Sequence, residues 1–169
     1  MNAPDTRTPS WVHVARTYLG TAEIPGPQHS VVIGSWLHRL KAWWKDDEAP
    51  WCGVFTAAVM QECGLSYPKA WYRARAWLEW GQEVKPPAIG CIAVFERGGG
   101  GHVGFVVGKD DIGRLLILGG NQGNAVSIAP FYPYRLLGCR WPPEPRVAFE
   151  FTGELPLLAH TGPASRNEA

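Results

Sequence analysis

The sequence predicts an α+β domain in which N-terminal helices pack on a small antiparallel sheet. Two patterns support this fold class: helix-type spacing of apolar residues in the first half, and short β-branched runs separated by glycine turns after residue 86. The third observation is the length of 169 residues, with 46% hydrophobic positions, which suits one domain with its own core. Helices followed by a meander of strands are therefore expected.

Two helices are predicted before residue 45. Ser10 is a candidate N-cap for the first helix, which Gly20 is expected to end. The second helix is expected over residues 31–44. Its apolar face carries Ile33, Leu37, Leu40 and Trp44.

The most informative stretch is the apolar helix that is expected to begin at Cys52, after Pro50, and to end at Gly64. Unpaired backbone N–H groups and the helix dipole favour a thiolate at a helix start. Cys52 is therefore a candidate nucleophile, and the alternative is a small buried core residue. The acidic residues 46–48 just before it are interpreted as a solvated loop.

Composition excludes several classes of protein. A net charge of +1, a pI near 7.7 and the absence of a lysine or arginine run argue against nucleic-acid binding. No apolar run approaches the ~20 residues of a membrane span, so membrane insertion is not expected. The four cysteines form no C-x-x-C pair, which argues against a zinc knuckle or a redox motif. Cys52 and Cys63 are expected on one helix about 16 Å apart, too far for a disulfide, so reduced thiols are expected. No metal and no cofactor are expected. The nine tryptophans fit either an aromatic cleft or an aromatic core.

The second half of the chain changes from helix to strand. Residues 71–80 predict a short helix ended by Gly81. Gly98 to Gly101 are interpreted as a hinge and not as a phosphate loop, because no Lys-Ser/Thr pair and no helix follow them. Three antiparallel strands are expected, over residues 89–95, 102–108 and 115–118.

The strand ends supply partners for the cysteine. His102 is expected at the start of a strand, and the next strand runs into Asn121 and Gln122. Cysteine catalysis needs a base for the thiol proton and a group that orients that base. Cys52, His102 and Asn121 therefore form a candidate constellation. The alternative for Asn121 is a purely conformational role in the glycine-rich turn.

Four segments carry a resemblance to a known family: residues 50–55, 90–95, 101–107 and 118–122. They resemble the cysteine, histidine-dependent amidohydrolase/peptidase (CHAP) domains and the related NlpC-type cell-wall peptidases, in particular a phage- and prophage-associated branch. The resemblance implies a papain-like fold. It also implies a catalytic domain over residues 10–142, between a flexible N-terminus of residues 1–9 and a Pro-rich C-terminal arm of residues 143–169.

The resemblance implies a cysteine-dependent peptidoglycan hydrolase. It would cleave an amide bond of the wall peptide through a thioacyl enzyme, as an endopeptidase or an N-acetylmuramoyl-L-alanine amidase. Cys52 would be the nucleophile, His102 the base and Asn121 the third residue, with Gln122 in reserve. The chain departs from relatives at two positions, since Cys91 and Gly119 stand where acidic residues are frequent.

Further site roles are expected around these residues. The oxyanion would be held by the Cys52 backbone N–H and a second donor, either Gln122 or a side chain near Trp51. The candidates for substrate binding are Trp51, Gln122, Trp77, Arg75 and Trp44.

Partners and location follow from the proposed substrate. The expected partner is the peptidoglycan peptide, and a phage or secretion component or an inhibitor protein are further candidates. The N-terminus lacks the apolar core of a secretory signal, so synthesis in the cytoplasm is expected, with action on the wall after release or delivery. Two alternatives stay open: a non-catalytic wall-binding or phage structural module, and an acyltransferase on the same scaffold.

Overall fold

The computed structural model describes residues 7–151 and 153–159. Within these residues, helices pack against one antiparallel sheet, which confirms the predicted α+β class. The α-helices are α1 Ser10–Thr17, α2 Val31–Arg39 and α3 Cys52–Glu62. Short 3-10 helices cover Ala74–Glu79, Pro133–Arg135 and Pro145–Val147.

The described strands form a six-stranded sheet in the order β1-β6-β2-β3-β4-β5, with antiparallel pairing throughout. The predicted meander corresponds to β2, β3 and β4, which are neighbours in the sheet in chain order. The strands are β1 Gln82–Glu83, β2 Ile92–Arg97, β3 Gly100–Lys109, β4 Leu115–Gly119, β5 Ser127–Phe131 and β6 Leu136–Trp141.

Helix α3 is the central element of the fold. Every residue from Cys52 to Met60 is buried, which fits a helix that is apolar on all sides. The helix contacts α1, α2, β3 and β4, and Phe55 meets Phe105 of β3 edge-on with ring centroids 6.2 Å apart. This packing fixes the start of α3 against the sheet.

Several predicted boundaries shift in the structure. Ser10 is the first residue of α1, whose cap is Pro9 without a side-chain hydrogen bond. Helix α2 ends near Leu40 rather than at residue 44, because Lys41 adopts a left-handed backbone with φ of 57°. The predicted helix over residues 71–80 is a shorter 3-10 helix.

The glycine tract is only partly a turn. Gly98 and Gly99 have positive φ angles of 43° and 85° and make the tight connection, whereas Gly100 and Gly101 already belong to β3. The predicted hinge therefore covers too many residues, and His102 is the third residue of its strand. Pairing with β2 fixes its position.

The described part of the C-terminal arm lies against the domain. Arg146 Nη2 donates to the carbonyl oxygens of Cys63 and Gly64 at 2.9 and 3.0 Å, and Phe149 packs edge-on against Trp141. Residues 1–6 and 160–169 of the two predicted terminal segments lie outside the described residues. The longest described helix, α3, has 11 residues, so no described helix has the length and apolarity to cross a membrane.

Candidate active site

Cys52 is the first residue of α3, as predicted, and its side chain is 4% exposed. Burial raises the pKa of the Cys52 thiol above its usual value, while the backbone N–H groups of Val103, Gly53 and Cys52 and the charge of Arg97 act to lower it. The effect of burial on the pKa of Cys52 outweighs that of the helix start. This direction is opposite to the thiolate stabilisation that a helix start alone predicts.

The contact with Val103 brings the nucleophile to β3. Val103 directly follows His102 along the strand, and its backbone N–H hydrogen-bonds toward the Cys52 sulfur. The start of α3, with Cys52, thus lies against the residue that follows His102 in β3.

The ring of His102 is fully buried, and it stacks on Phe131 of β5 with centroids 5.1 Å apart and an interplanar angle of 9°. Phe131 in turn stacks on Phe95, the residue opposite His102 in β2. This aromatic packing fixes the plane of the imidazole.

Gln122, and not Asn121, is the described partner of the His102 ring. The distance from His102 Nε2 to Gln122 Oε1 is 2.9 Å. The predicted hydrogen bond from His102 to Asn121 is thus replaced by one to the next residue. Both amide atoms of Asn121 are buried and have no hydrogen-bond partner among the described residues.

The contacts of Gln122 determine which ring nitrogen of His102 carries the proton. Gln122 Nε2 donates to the carbonyl oxygens of Ile117 and Ser127 at 3.1 and 2.8 Å. Carbonyl oxygens only accept, so the amide nitrogen must face them and Oε1 must face His102. Nε2 of His102 therefore carries the hydrogen, and Nδ1 is left as the base. The same contacts occupy Gln122 Nε2, so it does not match the predicted second oxyanion donor.

Gly119 makes room for this pair. A Cβ atom at this position would overlap Gln122 Oε1 and lie 3.2 Å from His102 Nε2. The glutamate that relatives often carry here would occupy the same space. Glycine at position 119 and glutamine at position 122 are therefore structurally linked, which explains one departure from the family pattern.

The other departure, Cys91, is a packing feature. Cys91 is fully buried beside Cys139 of β6, and the two thiols form a hydrogen bond. The contact with the Cys139 thiol lowers the pKa of Cys91, although burial acts against it. All four cysteines are free thiols, as predicted.

The five predicted substrate-binding residues fall into four environments. Trp51 and Trp77 are 1% and 0% exposed and belong to the core, so the structure does not support them as groove walls. Arg75 is exposed and its Nε donates to Gly100 O at 2.7 Å, next to the site. Trp44 is half-buried, beyond the end of α2, and lines a cavity of about 560 Å³ with Lys41 and Lys45. The fifth, Gln122, orients His102.

The acidic loop before Cys52 is not simply solvated. Asp47 is fully buried and accepts hydrogen bonds from the backbone N–H groups of Ile24 and Ser30 at 2.9 and 2.6 Å, and His29 Nδ1 lies 2.9 Å from it. Burial acts to raise the pKa of Asp47, but these three partners hold it below its usual value. Asp47 therefore fixes the loop of residues 24–30.

That loop is also connected to the site through Glu23. Its carboxylate accepts a hydrogen bond at 3.0 Å from Nε1 of Trp51, the residue directly before Cys52. Its backbone N–H donates to Asn124 O at 3.1 Å, which joins it to the segment that follows Gln122. Glu23 thus joins this loop both to the start of α3 and to the segment after Gln122. Glu23 is not among the site residues that the sequence predicts.

The comparison with protein families agrees with this geometry. Residues 44–121 match the family model of the CHAP domain. The matched segment contains Cys52, His102 and Asn121, and it confirms the resemblance to CHAP and NlpC-type domains. A comparison with curated proteins gave no match. CHAP domains are associated with peptidoglycan hydrolases of the amidase or endopeptidase type.

Proposed function

We propose that this CHAP-type chain is a cysteine-dependent peptidoglycan hydrolase that cleaves an amide bond of the wall peptide through a thioacyl enzyme. The observation that carries the proposal is the hydrogen bond from His102 Nε2 to a Gln122 amide held by two carbonyl oxygens. It leaves Nδ1 of a buried imidazole as a base, on the strand whose next residue, Val103, lies against the cysteine at the start of α3.

The mechanism begins with a neutral Cys52 thiol and a neutral His102 imidazole. The Cys52 thiol gives its proton to Nδ1 of His102 as the sulfur attacks the amide carbonyl. The oxyanion is stabilised by backbone N–H groups at the start of α3, and the imidazolium then protonates the leaving amine. A thioacyl enzyme and a free amine result. Water, deprotonated by Nδ1, releases the acyl group as a carboxylic acid and restores the thiol.

Each part of the constellation has a distinct role. Cys52 forms the covalent bond, and His102 moves the proton. Gln122 is a positioning residue, because it touches only the imidazole and the sheet. Since Cys52 and His102 are 4% and 0% exposed, entry of a polymeric substrate requires a local opening.

The proposal is tested by mass analysis of purified peptidoglycan after incubation with the protein. Hydrolysis adds one water to each cleaved bond, and the fragment masses tell endopeptidase from amidase cleavage. Cys52→Ala is expected to release nothing. Products that carry an acceptor amine or alcohol would identify a transferase instead. Binding to the wall without released fragments would identify a binding module.

A further inference from the structure

One tryptophan differs from the others in its exposure. All nine tryptophans lie within the described residues, and seven of them are buried. Trp43 is 74% exposed, and Trp44 beside it is half-buried. An exposed indole contributes little to the core, and exposed aromatic side chains that lie together are typical of interaction sites. Trp43 is therefore a candidate for contact with a ligand.

Two neighbouring rings hold Trp43 in place. Its ring centroid lies 4.6 Å from that of Trp44 and 4.8 Å from that of Tyr72, and both contacts are edge-to-face. Trp44 in turn stacks on the buried Trp71 with centroids 5.7 Å apart. Trp43, Trp44 and Tyr72 together are called the aromatic surface below. Because its rings pack on one another and on the core, little side-chain freedom is lost when a ligand binds.

The aromatic surface borders the start of α3. A Cβ atom at Gly53 would overlap Trp71 O and lie 3.2 Å from Tyr72 Cα. Gly53 directly follows Cys52, so the backbone of Trp71 and Tyr72 packs against the helix turn that carries the nucleophile. A polymer whose peptide reaches Cys52 therefore has its neighbouring portion within reach of the aromatic surface.

A cavity beside Trp44 supplies polar partners. Its volume is about 560 Å³, and its lining includes His38, Lys41 and Lys45, whose side chains are exposed. A lysine ammonium group offers hydrogen-bond donors and no acceptor. Residues 24–45 contain no aspartate or glutamate. The cavity therefore favours a ligand that is rich in acceptor oxygens and carries no positive charge.

We propose that the aromatic surface and this cavity bind the glycan strand of the wall, beside the peptide that Cys52 attacks. The C–H face of a sugar ring packs on the exposed indole of Trp43, and oxygens of the same strand accept hydrogen bonds from Lys41 and Lys45. The ligand class is an amino-sugar oligosaccharide with hydroxyl, acetamido and carboxylate oxygens. This inference rests on the proposed function, since it assigns a binding site for the non-peptide part of that substrate.

The first experiment measures the affinity of peptide-free glycan oligosaccharides for the protein by calorimetry. Trp43→Ala is expected to weaken binding by about tenfold to a hundredfold, the size of a tryptophan hot spot. Trp43→Phe keeps an aromatic face and should give an intermediate affinity. Lys45→Gln should cause a smaller loss, because it removes one exposed charged donor.

The matched control is another exposed aromatic side chain. Tyr134, in the 3-10 helix Pro133–Arg135, is 82% exposed, and Tyr134→Ala should keep the wild-type affinity for the oligosaccharides. An unchanged affinity in Trp43→Ala would overturn the saccharide site. If Trp43→Ala does not fold, the affinity of Trp43→Phe decides in the same way.

Kinetics separate this inference from the proposed hydrolysis. Trp43→Ala should raise KM for a wall peptide that is attached to its glycan strand. It should leave kcat/KM for the free wall peptide unchanged, because that peptide does not extend to the aromatic surface. Glycan binding that depends on Trp43, found in a protein without turnover, would reject the hydrolase and keep the saccharide site.

The opposite outcome has an equally clear reading. Turnover of the glycan-linked peptide that is the same in the wild type and in Trp43→Ala would keep the hydrolase and reject the saccharide site. An equal loss of kcat/KM on the free and the glycan-linked peptide would assign Trp43 to the peptide and overturn the proposal.

Discussion

At the scale of single residues, the proton on His102 is controlled by one acceptor. Because Gln122 Oε1 accepts from Nε2, Gln122→Ala removes the group that fixes the tautomer and leaves a buried N–H without this partner. We expect kcat/KM on a wall peptide to fall by about tenfold to a hundredfold, as for other residues that orient a reacting group. The measurement is steady-state kinetics at matched folded fractions.

The control is the neighbouring residue. Asn121 has a left-handed backbone with φ of 58°, so Asn121→Gly keeps the conformation and removes only the amide. We expect it to retain most of the activity. If Asn121→Gly loses as much activity as Gln122→Ala, the amide of Asn121 is also part of the machinery, as the sequence predicts.

The space at Gly119 gives an independent test of the same hydrogen bond. Gly119→Ala places a methyl group where Gln122 Oε1 lies, and so must displace the amide from His102. We expect a loss of kcat/KM similar to that of Gln122→Ala, and little added loss when the two changes are combined, because both remove one interaction. Fully additive losses would mean that Gly119 acts by another route.

The neutral state of Cys52 predicts how the free protein reacts with iodoacetamide. Since burial raises the pKa of the Cys52 thiol, the thiolate forms at higher pH than for an ordinary cysteine. The alkylation rate at Cys52, followed by peptide mass analysis, is therefore expected to climb through neutral pH and to level off only in alkaline solution. A fast plateau that extends to acidic pH would instead reveal a preformed thiolate-imidazolium pair.

The sequence predicts Asn121 as the partner of His102, with Gln122 in reserve, and the structure has Gln122 in that position. The reason is geometric. The sequence identifies a turn rich in glycine and amides after β4, but not which amide turns inward. The left-handed conformation of Asn121 sets the direction of the chain, and the next side chain then faces His102. Such a direction depends on the backbone angles of a turn, which amino-acid types alone do not determine.

At the scale of elements, the loop of residues 24–30 depends on one carboxylate. Asp47→Asn removes the buried negative charge and leaves one oxygen, which cannot serve both His29 and the two backbone donors. We expect the free energy of unfolding at neutral pH to fall by about 1.5–3 kcal/mol, the range for a hydrogen bond to a charged group. Urea unfolding measures it, and exposed Asp46→Asn should stay within about 0.5 kcal/mol.

The same carboxylate contributes to acid sensitivity. The pKa of Asp47 is lower in the folded than in the unfolded protein, so its contribution is complete above the unfolded value, near 3.9. It is lost as the pH falls through the lowered folded value. Asp47→Asn should therefore lose less stability than the wild type between about pH 5 and pH 2. Parallel acid profiles for the two proteins would contradict this role.

The elements that sequence patterns predicted best are those with local signals. Helix α3 has a proline before its start and a glycine after its end, and both act within a few residues. Strands β5 and β6 escaped prediction because Pro130 and Gly138 lower strand propensity. Pro130 is tolerated because β5 lies at the edge of the sheet, and β6 forms by pairing with β2, which is distant in sequence.

At the scale of the whole molecule, the net charge of +1 gives little long-range attraction to an anionic wall. Recognition therefore has to come from contacts at the site rather than from the overall field. We expect the affinity for purified wall to change only weakly between about 50 and 200 mM salt, since few charges are neutralised over a Debye length of about 10 Å. A steep loss of binding with salt would indicate a broad basic surface instead.

The proposed substrate also predicts how the whole protein affects a cell. Peptidoglycan lies outside the cytoplasmic membrane, so a copy of the chain that is held in the cytoplasm would have no access to the proposed substrate. We expect slow growth or lysis only when an added export signal carries the protein across the membrane. Exported Cys52→Ala keeps the fold and lacks the nucleophile, so it should be harmless and is the control for the burden of export. Growth curves and cell counts for the three strains measure the effect. Equal toxicity of the exported and the non-exported wild type would mean that the target lies in the cytoplasm, which would contradict a wall substrate.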